Sequence, residues 1–256
     1  MTDYTGYLIC SDFDGTLSCD GIPERNIEAI RRFTAAGGRF TLSSGRSWSG
    51  FRKKHPLPFA LNAPMIALSG ALIYDTQEDR AVEEHFLDPD WPRLFFELMT
   101  LLPTPQRFDI VGKSAGYPFR SDDVTDLAAR IAQASADPIY KIVGLHDYQG
   151  EPSAIEAVKA LCAGRYSVTA NGPRSYEITA LGYDKGYGVK RVKALVGAKT
   201  LVTVGDYLGD IPMFKEADLS FAVGNAAPEL KAVADCTTVH AREGAIADVI
   251  ERLEAM

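Results

Sequence analysis

The segment YLICSDFDGT, residues 7–16, carries the strongest structural signal in this chain of 256 residues. Its first four residues form an apolar run, which a polar turn containing glycine follows. This pattern is typical of a buried parallel strand and the loop at its C-terminal end. The segment therefore predicts a first strand over 7–10, with Asp12 and Asp14 just beyond it.

The following residues predict a strand–helix–strand unit. A helix should begin near Glu24, and Gly37-Gly38 supplies its C-terminal stop. A second strand is predicted over 40–43, and it leads into Ser44-Gly45. In open α/β sheets, ligands bind outside the carboxyl ends of the strands, so both loops should face one crevice.

The alternation of strands and helices is interrupted in the middle of the chain. A third strand is predicted over 65–68, and regular alternation resumes with a helix over 185–196 and strands over 201–204 and 219–223. Between them the amphipathic segments follow no strict order, which predicts an inserted second domain. Ser121 should cap one of its helices. Its strand candidates are 108–111, 140–143, 166–168 and 176–178.

The composition narrows the classes of partner. A formal net charge of -7 argues against binding to nucleic acid or to an anionic membrane surface. No apolar run approaches the roughly 20 residues that span a bilayer, and the N-terminus lacks the pattern of a signal peptide. The four cysteines have no metal-site spacing. We expect a cytoplasmic protein with reduced cysteines.

Asp12 and Asp14 form the first candidate for chemistry. Alternation along an extended chain can place both carboxylates on the same side. Two such anions repel each other, and a divalent cation is the usual way to keep both ionised. An oxygen-only site of this kind suits Mg²⁺. Taken alone, the pair is equally compatible with a surface turn.

Three further segments lie at predicted strand exits or helix starts. Ser44-Gly45 offers a hydroxyl and a backbone N–H to a phosphoryl oxygen, although a plain turn would look the same. Lys185 near a helix N-terminus favours a compensating anion, unless it is simply solvated. Asp206 and Asp210 are spaced to reach one ion, and a helix N-cap is the alternative.

Together these segments resemble the four motifs of the haloacid dehalogenase superfamily, most of whose members transfer phosphoryl groups. Residues 12–16 are similar to motif one, Ser44-Gly45 to motif two, Lys185 to motif three, and Gly205-Asp206 with Asp210 to motif four. Residues 64–74 and 223–226 resemble the Cof-like branch of subclass IIB sugar phosphatases. The resemblance extends over nearly the whole chain.

The resemblance implies an α/β fold with a Rossmann-like parallel sheet core and an inserted α+β cap domain. Residues 1–73 and 183–256 would form the catalytic core, and residues 74–182 would form the cap that sets substrate specificity. It further implies a magnesium-dependent phosphatase acting on a small phosphorylated metabolite, expected to be a sugar phosphate. Neither nucleic acid nor membrane is an expected partner, and the oligomeric state, monomer or weak dimer, is not readable.

The resemblance also assigns roles to individual residues. Asp12 would be the nucleophile that forms an aspartyl-phosphate, and Asp14 the general acid and base. Phosphate contacts would come from Phe13, Ser44, Gly45 and Lys185. The ligands of Mg²⁺ would be Asp12, the backbone carbonyl of Asp14, and Asp206, with Asp210 binding directly or through water.

Two departures and three alternatives accompany this assignment. Gly209 stands where the branch usually has an asparagine that touches the phosphate, and Ser69 replaces another asparagine. A phosphomutase of the same superfamily would return the phosphoryl group to a second hydroxyl. A phospho-accepting signalling module would lack an acid–base residue at the position of Asp14. A weakly catalytic binding protein is the third alternative.

Overall fold

The computed structural model describes residues 2–255, which form two compact units. The first unit contains the chain as far as Glu83 together with the chain from Asp184 onward. The second unit is Glu84–Tyr183. The chain thus leaves the first unit once and returns to it once.

Strands and helices are numbered separately, each in chain order. The strands are β1 (Tyr7–Ser11), β2 (Arg39–Leu42), β3 (Met65–Ala67), β4 (Leu72–Asp75), β5 (Arg80–Glu84), β6 (Gln106–Gly112), β7 (Gly116–Arg120), β8 (Ile139–His146), β9 (Tyr166–Gly172), β10 (Ser175–Ala180), β11 (Thr200–Gly205), β12 (Leu219–Ala222) and β13 (Cys236–Thr237). The helices are α1 (Glu24–Ala35), α2 (Trp48–Lys54), α3 (Trp91–Leu101), α4 (Leu127–Ser135), α5 (Ala154–Cys162), α6 (Lys185–Val196), α7 (Ile211–Lys215), α8 (Pro228–Lys231) and α9 (Ala245–Glu254).

A parallel sheet in the order β13-β12-β11-β1-β2 forms the centre of the first unit. Leu8, Ile9 and Cys10 of β1 are fully buried, as expected for a strand covered on both faces. In a parallel sheet the carboxyl ends of all strands lie at one edge. The loops after β1, β2 and β11 therefore meet at that edge, which confirms the α/β fold class.

A three-stranded sheet of order β3-β4-β5 also lies largely in this unit. This sheet lies beside the end of β2, because Ser43, directly after β2, forms a parallel bridge with Ile66 of β3. The predicted insertion begins at residue 74, whereas the second unit begins at Glu84. The difference arises because β5 pairs with β4, and because Glu83 accepts hydrogen bonds from Tyr187 and Arg191 of α6.

The second unit is built on an antiparallel sheet of order β7-β6-β8-β10-β9. All four strand candidates of the insertion lie within its strands, and β7 was missed. One face of the sheet packs on α3, α4 and α5 through a core that includes Phe95, Phe108, Ile142 and Tyr176. Alternate residues therefore point away from that core.

The predicted role of Ser121 as a helix cap is wrong. The helix α4 begins only at Leu127, and the Ser121 hydroxyl accepts a hydrogen bond from the backbone N–H of Gln106 at 2.8 Å. Val124, which precedes this helix, is 67% exposed. A serine followed by two aspartates stabilises a turn as well as it caps a helix.

Two composition-based expectations can be compared with the structure. Within residues 2–255, no helix has both the length and the apolar character that crossing a membrane requires. All four cysteines are free thiols; Cys10 and Cys162 are buried, and Cys19 and Cys236 are partly exposed.

Candidate active site

Asp12 lies directly after β1, at the edge where the parallel strands end. Its backbone N–H donates to the carbonyl oxygen of Val204 on β11 at 2.9 Å, which extends the sheet by one residue. Its carboxylate accepts a hydrogen bond from Nζ of Lys185 at 2.6 Å. Asp12 is only 8% exposed, so its charge depends on neighbouring groups rather than on bulk water.

Lys185 is held by the first turn of α6. Asp184 caps this helix by accepting the backbone N–H of Tyr187 at 2.9 Å. Besides Asp12, the Lys185 ammonium donates to Oδ1 of Asp210 at 2.7 Å. One buried cation thus links the loop after β1 to the loop after β11, although Lys185 and Asp12 are far apart in the sequence.

The loop after β11 contributes two carboxylates. Asp206 accepts the hydroxyl of Thr16 at 2.9 Å. Asp210 ends a 3₁₀ turn, and its Oδ2 accepts the backbone N–H groups of Asp206 at 2.9 Å and Tyr207 at 3.2 Å. Both oxygens of Asp210 therefore have donors within the protein, which fixes its orientation.

Gly15 allows the two loops to approach each other. Its φ is +82°, and a Cβ at this position would lie 2.5 Å from Oδ2 of Asp206. The Asn225 side chain fixes the same loop by donating to the Gly15 carbonyl at 2.8 Å and accepting from the N–H of Ala241 at 2.9 Å. Asn225 belongs to the segment 223–226, which resembles the Cof-like branch. Its role in fixing the loop at Gly15 was not predicted.

The ionisation of the carboxylates reflects their burial and their mutual repulsion. Burial raises the pKa of Asp12 well above its ordinary value; Lys185 opposes this shift, and the charges of Asp210 and Asp206 add to it. Burial and the charge of Asp210 raise the pKa of Asp206 to about 6. Burial disfavours the charged form of Lys185, but Asp12 and Asp210 raise its pKa above the ordinary value.

The donor set at this edge fits a divalent cation. Asp12, Asp206 and Asp210 each offer one carboxylate oxygen, and these oxygens all lie within 4.8 Å of one another. Three carboxylates face the single ammonium of Lys185, so negative charge is in excess. Hard divalent cations prefer oxygen ligands and would offset this charge.

Asp14 is separate from this carboxylate cluster. Its side chain is 55% exposed and forms a two-pronged ion pair with Arg46, from Nε to Oδ2 at 2.8 Å and from an Nη to Oδ1 at 2.9 Å. Such paired hydrogen bonds fix the plane of a carboxylate. Arg46 was not predicted as a site residue, although it directly follows the predicted Ser44-Gly45.

Ser44 lies in the loop after β2 and is 2% exposed. Its backbone N–H donates to Ile66 at 2.8 Å, and its hydroxyl oxygen accepts the backbone N–H of Arg46 at 3.3 Å. The hydroxyl hydrogen is therefore not used in that bond. Gly45 follows in the same loop, and Phe13 lies between Asp12 and Asp14, where its ring packs edge-on against Phe51.

The first unit thus gathers Asp12, Lys185, Asp206 and Asp210 through direct contacts, whereas Asp14 pairs with Arg46. This arrangement provides a buried carboxylate, a buried ammonium group and three carboxylate oxygens close enough to hold one cation. A second carboxylate two residues beyond the first is partly exposed. Such a combination can transfer a phosphoryl group, because the developing charge on phosphoryl oxygens needs several positive or hydrogen-bonding groups.

Comparisons with known proteins agree with this geometry. The family model of haloacid dehalogenase-like hydrolases matches residues 9–250. The chain is similar to a 5-amino-6-(5-phospho-D-ribitylamino)uracil phosphatase of Bacillus subtilis, with 27% identity over 95% of this chain and 94% of the relative.

Solved structures show the same fold. A haloacid dehalogenase-like hydrolase from B. subtilis superposes with a TM-score of 0.78 at 21% identity, covering 96% of this chain and 99% of the other. The subclass IIB sugar phosphatase BT4131 gives a TM-score of 0.76 at 18% identity, covering 97% and 99%. The chain therefore belongs to the haloacid dehalogenase-like hydrolases, and it is a phosphatase of the Cof-like type.

Proposed function

We propose that this phosphatase hydrolyses small phosphomonoesters, with sugar phosphates as the expected class, through an aspartyl-phosphate on Asp12. The observation that carries the proposal is the contact of the buried Asp12 carboxylate with Lys185, beside Asp206 and Asp210. We further propose that the second unit, Glu84–Tyr183, determines which ester is accepted. The B. subtilis relative acts on a phosphorylated ribityl compound, which is consistent with a small substrate.

Mg²⁺ is the proposed cofactor. Asp12 and Asp206 would hold it, together with the backbone carbonyl of Asp14, and Asp210 would support them directly or through water. Oxygen-only ligands that leave room for water and a substrate phosphate are typical of Mg²⁺ sites. When bound, the ion supplies positive charge that offsets the charges of the nucleophile and the substrate phosphate.

In the first proposed step, a carboxylate oxygen of Asp12 attacks phosphorus. The bond from phosphorus to the ester oxygen breaks, and Asp14 donates a proton to that departing oxygen. The backbone N–H groups of Phe13 and Gly45, the Ser44 hydroxyl and the Lys185 ammonium would bind the phosphoryl oxygens. Asp14 would enter this step protonated, and Arg46 would hold the carboxylate that remains after the proton has left.

In the second proposed step, Asp14 accepts a proton from a water molecule that attacks the same phosphorus atom. The bond between phosphorus and the Asp12 oxygen breaks, and inorganic phosphate leaves. The partial exposure of Asp14 supports this role, because the residue has to exchange protons with water. The buried Asp12, in contrast, is shielded from solvent protons.

A phosphomutase is the second candidate, since the same first step would serve both reactions. A mutase returns the phosphoryl group to a second hydroxyl and releases no free phosphate. A phospho-accepting signalling module is the third candidate, and Asp14 argues against it, because an acid–base residue promotes turnover of the phosphorylated form.

The test is release of inorganic phosphate from a panel of sugar phosphates and other small esters, with Mg²⁺ and with EDTA. We expect release that depends on the metal and falls by about 10³-fold or more in Asp12→Asn. Asp79→Asn, a change at an exposed carboxylate paired with Arg52, is the matched control and should keep full activity. Full activity of Asp12→Asn would contradict the proposed nucleophile, and ester conversion without phosphate release would favour the mutase.

A further inference from the structure

The second unit carries a basic groove at one end of its sheet. The groove has a volume of about 590 Å³, and residues of β6, β7, β8 and the β9–β10 turn line it. Three of the lining residues are arginines, namely Arg107, Arg120 and Arg174, whereas Asp147 is its single acidic lining residue among those described. The groove therefore has an excess of positive charge.

The sheet register places two of these arginines in one row. Arg107 of β6 lies directly opposite Arg120 of β7 on one side and Leu145 of β8 on the other. Their neighbours in sequence, Phe108 and Phe119, belong to the core beneath the sheet. By strand alternation, the row therefore lies on the face that points away from this core.

Two like charges directly opposite on adjacent strands destabilise a sheet unless something compensates them. Arg120 has a partner in Asp122, with both side chains about half exposed. Arg107 is exposed and forms no ion pair within residues 2–255. A dianion in the groove would compensate the uncovered charge of Arg107.

Arg174 completes the groove from the β9–β10 turn. Its carbonyl oxygen accepts the backbone N–H of His146 at 3.0 Å, which fixes the turn against the end of β8. Its side chain is 63% exposed and pairs with Asp147, which is 81% exposed. Exposed ion pairs of this kind contribute little to stability. A ligand can therefore replace Asp147 as the partner of the Arg174 guanidinium with little loss of stability.

We propose that this groove binds the phosphate group of a small anionic ligand through Arg107 and Arg120, with Arg174 as a further donor. Guanidinium groups suit phosphate because they donate two parallel hydrogen bonds. The volume exceeds that of inorganic phosphate, and the partly buried Leu145 offers an apolar contact for an attached organic group. All these residues belong to the second unit, whereas Asp12 and its cluster belong to the first unit.

The experiment is a titration of the full-length protein with inorganic phosphate, in EDTA and at constant ionic strength, with the arginine Nε–Hε signals observed by NMR. We expect the signals of Arg107 and Arg120 to shift saturably. In Arg107→Gln the dissociation constant for phosphate, measured from the shift of the Arg120 signal, should rise about tenfold. This change corresponds to the loss of one charge-assisted contact. Arg93→Gln, a change on α3 outside the groove, is the matched control and should leave it unchanged.

Backbone amide spectra show whether Arg107→Gln remains folded, and Arg107→Lys keeps the charge without the two-pronged geometry. Weaker binding by Arg107→Lys than by wild type would support recognition by the guanidinium. Absence of a saturable shift at tens of millimolar phosphate would overturn the proposal. So would equal affinities of the wild type and Arg107→Gln.

Discussion

The two five-stranded sheets of this protein present functional residues in different ways. In the parallel sheet of the first unit, polar residues follow the strands, and the loops after β1, β2 and β11 meet at one edge. In the antiparallel sheet of the second unit, polar residues lie within the strands, as in the cross-strand pair of Arg120 and Arg107. The parallel sheet therefore places its functional side chains together at one edge, whereas the antiparallel sheet places them on one face.

The two regions also differ in how closely charges are packed. The edge of the first unit buries Asp12, Asp210 and Lys185 in direct contact. In the second unit Arg107 and Arg120 are exposed, whereas the ion pair of Lys141 with Glu177, at 2.7 Å, is buried. Each unit contains one of the two tryptophans, Trp48 and Trp91. In a Trp91→Phe background, fluorescence therefore follows unfolding of the first unit, and in Trp48→Phe it follows the second.

Lys185→Met should have the largest effect on stability, because it leaves buried carboxylates without their cation. We expect the free energy of unfolding of the first unit to fall by about 3–5 kcal/mol in EDTA. Mg²⁺ should recover part of this loss by binding the folded cluster. Urea unfolding followed by Trp48 fluorescence measures both values.

The matched control for that change lies on the same helix. Lys190 is 72% exposed and pairs with Glu216 at 3.4 Å. Lys190→Met should lower the free energy of unfolding by at most about 0.5 kcal/mol. Equal free energies of unfolding for Lys185→Met and Lys190→Met would show that the stability of the first unit does not depend on the buried ammonium group of Lys185.

Gly70→Ala and Gly164→Ala compare loop packing in the two units. Gly70 has φ of +99°, and a Cβ would lie 2.0 Å from the carbonyl oxygen of Asp184, which caps α6. Gly164 has φ of +71° but no atom near its Cβ position. We expect losses of about 3 kcal/mol and about 1 kcal/mol, respectively, because both changes strain the backbone and only the first also creates a clash.

The two glycine variants are measured by urea unfolding, each with the tryptophan of its own unit. Gly70→Ala should also lower phosphatase activity, since displacement of Asp184 moves the first turn of α6 and with it Lys185. Equal losses in the two variants would show that the loops near the carboxylate cluster are no more tightly packed than those of the second unit.

Asp137→Asn should have a smaller effect than Lys185→Met and Gly70→Ala. Asp137 accepts hydrogen bonds from the backbone and hydroxyl of Ser114 and from the Tyr117 hydroxyl, at 2.9, 3.1 and 3.2 Å. Burial tends to raise the pKa of Asp137, but these donors lower it below the ordinary value. The carboxylate therefore stabilises the folded second unit above the ordinary pKa of about 3.9, and this contribution is lost as the pH falls through the lower folded value.

We expect Asp137→Asn to cost about 1 kcal/mol at neutral pH and less at an acidic pH below the ordinary pKa of about 3.9. Urea unfolding followed by Trp91 fluorescence at both pH values is the measurement. Asp109→Asn, at an exposed position of β6, is the control. A difference between wild type and Asp137→Asn that does not change with pH would mean that ionisation of Asp137 is not the source of its effect.

Much of the first unit could be predicted from the sequence. The helix over 185–196 has the predicted bounds, and the predicted strands over 7–10, 201–204 and 219–223 overlap β1, β11 and β12. The structure brings four predicted residues together: Asp12, Lys185, Asp206 and Asp210. Each of them lies after a strand or at the start of a helix, and the order of strands in the parallel sheet places these positions at one edge. Their catalytic and ligand roles stay predictions until the variants are measured.

The second unit was predicted less well. Its strand candidates were found, but the start of α4 and the position of β7 were not. The boundary of the unit also lies later in the chain than predicted. Short amphipathic strands and polar turns give weak periodic signals in the sequence. Whether such a segment becomes a strand, and in which register, depends on pairing with segments far away in the chain.

The sequence by itself determined the alternation of strands and helices in the first unit, the family motifs and the excess of negative charge, because these depend on local periodicity and on composition. Only the tertiary structure decided that Arg46 pairs with Asp14, that Lys185 bridges Asp12 and Asp210, and that Arg107 faces Arg120. These contacts depend on strand register and on the direction of side chains in loops. Both are fixed by packing between segments that are distant along the chain.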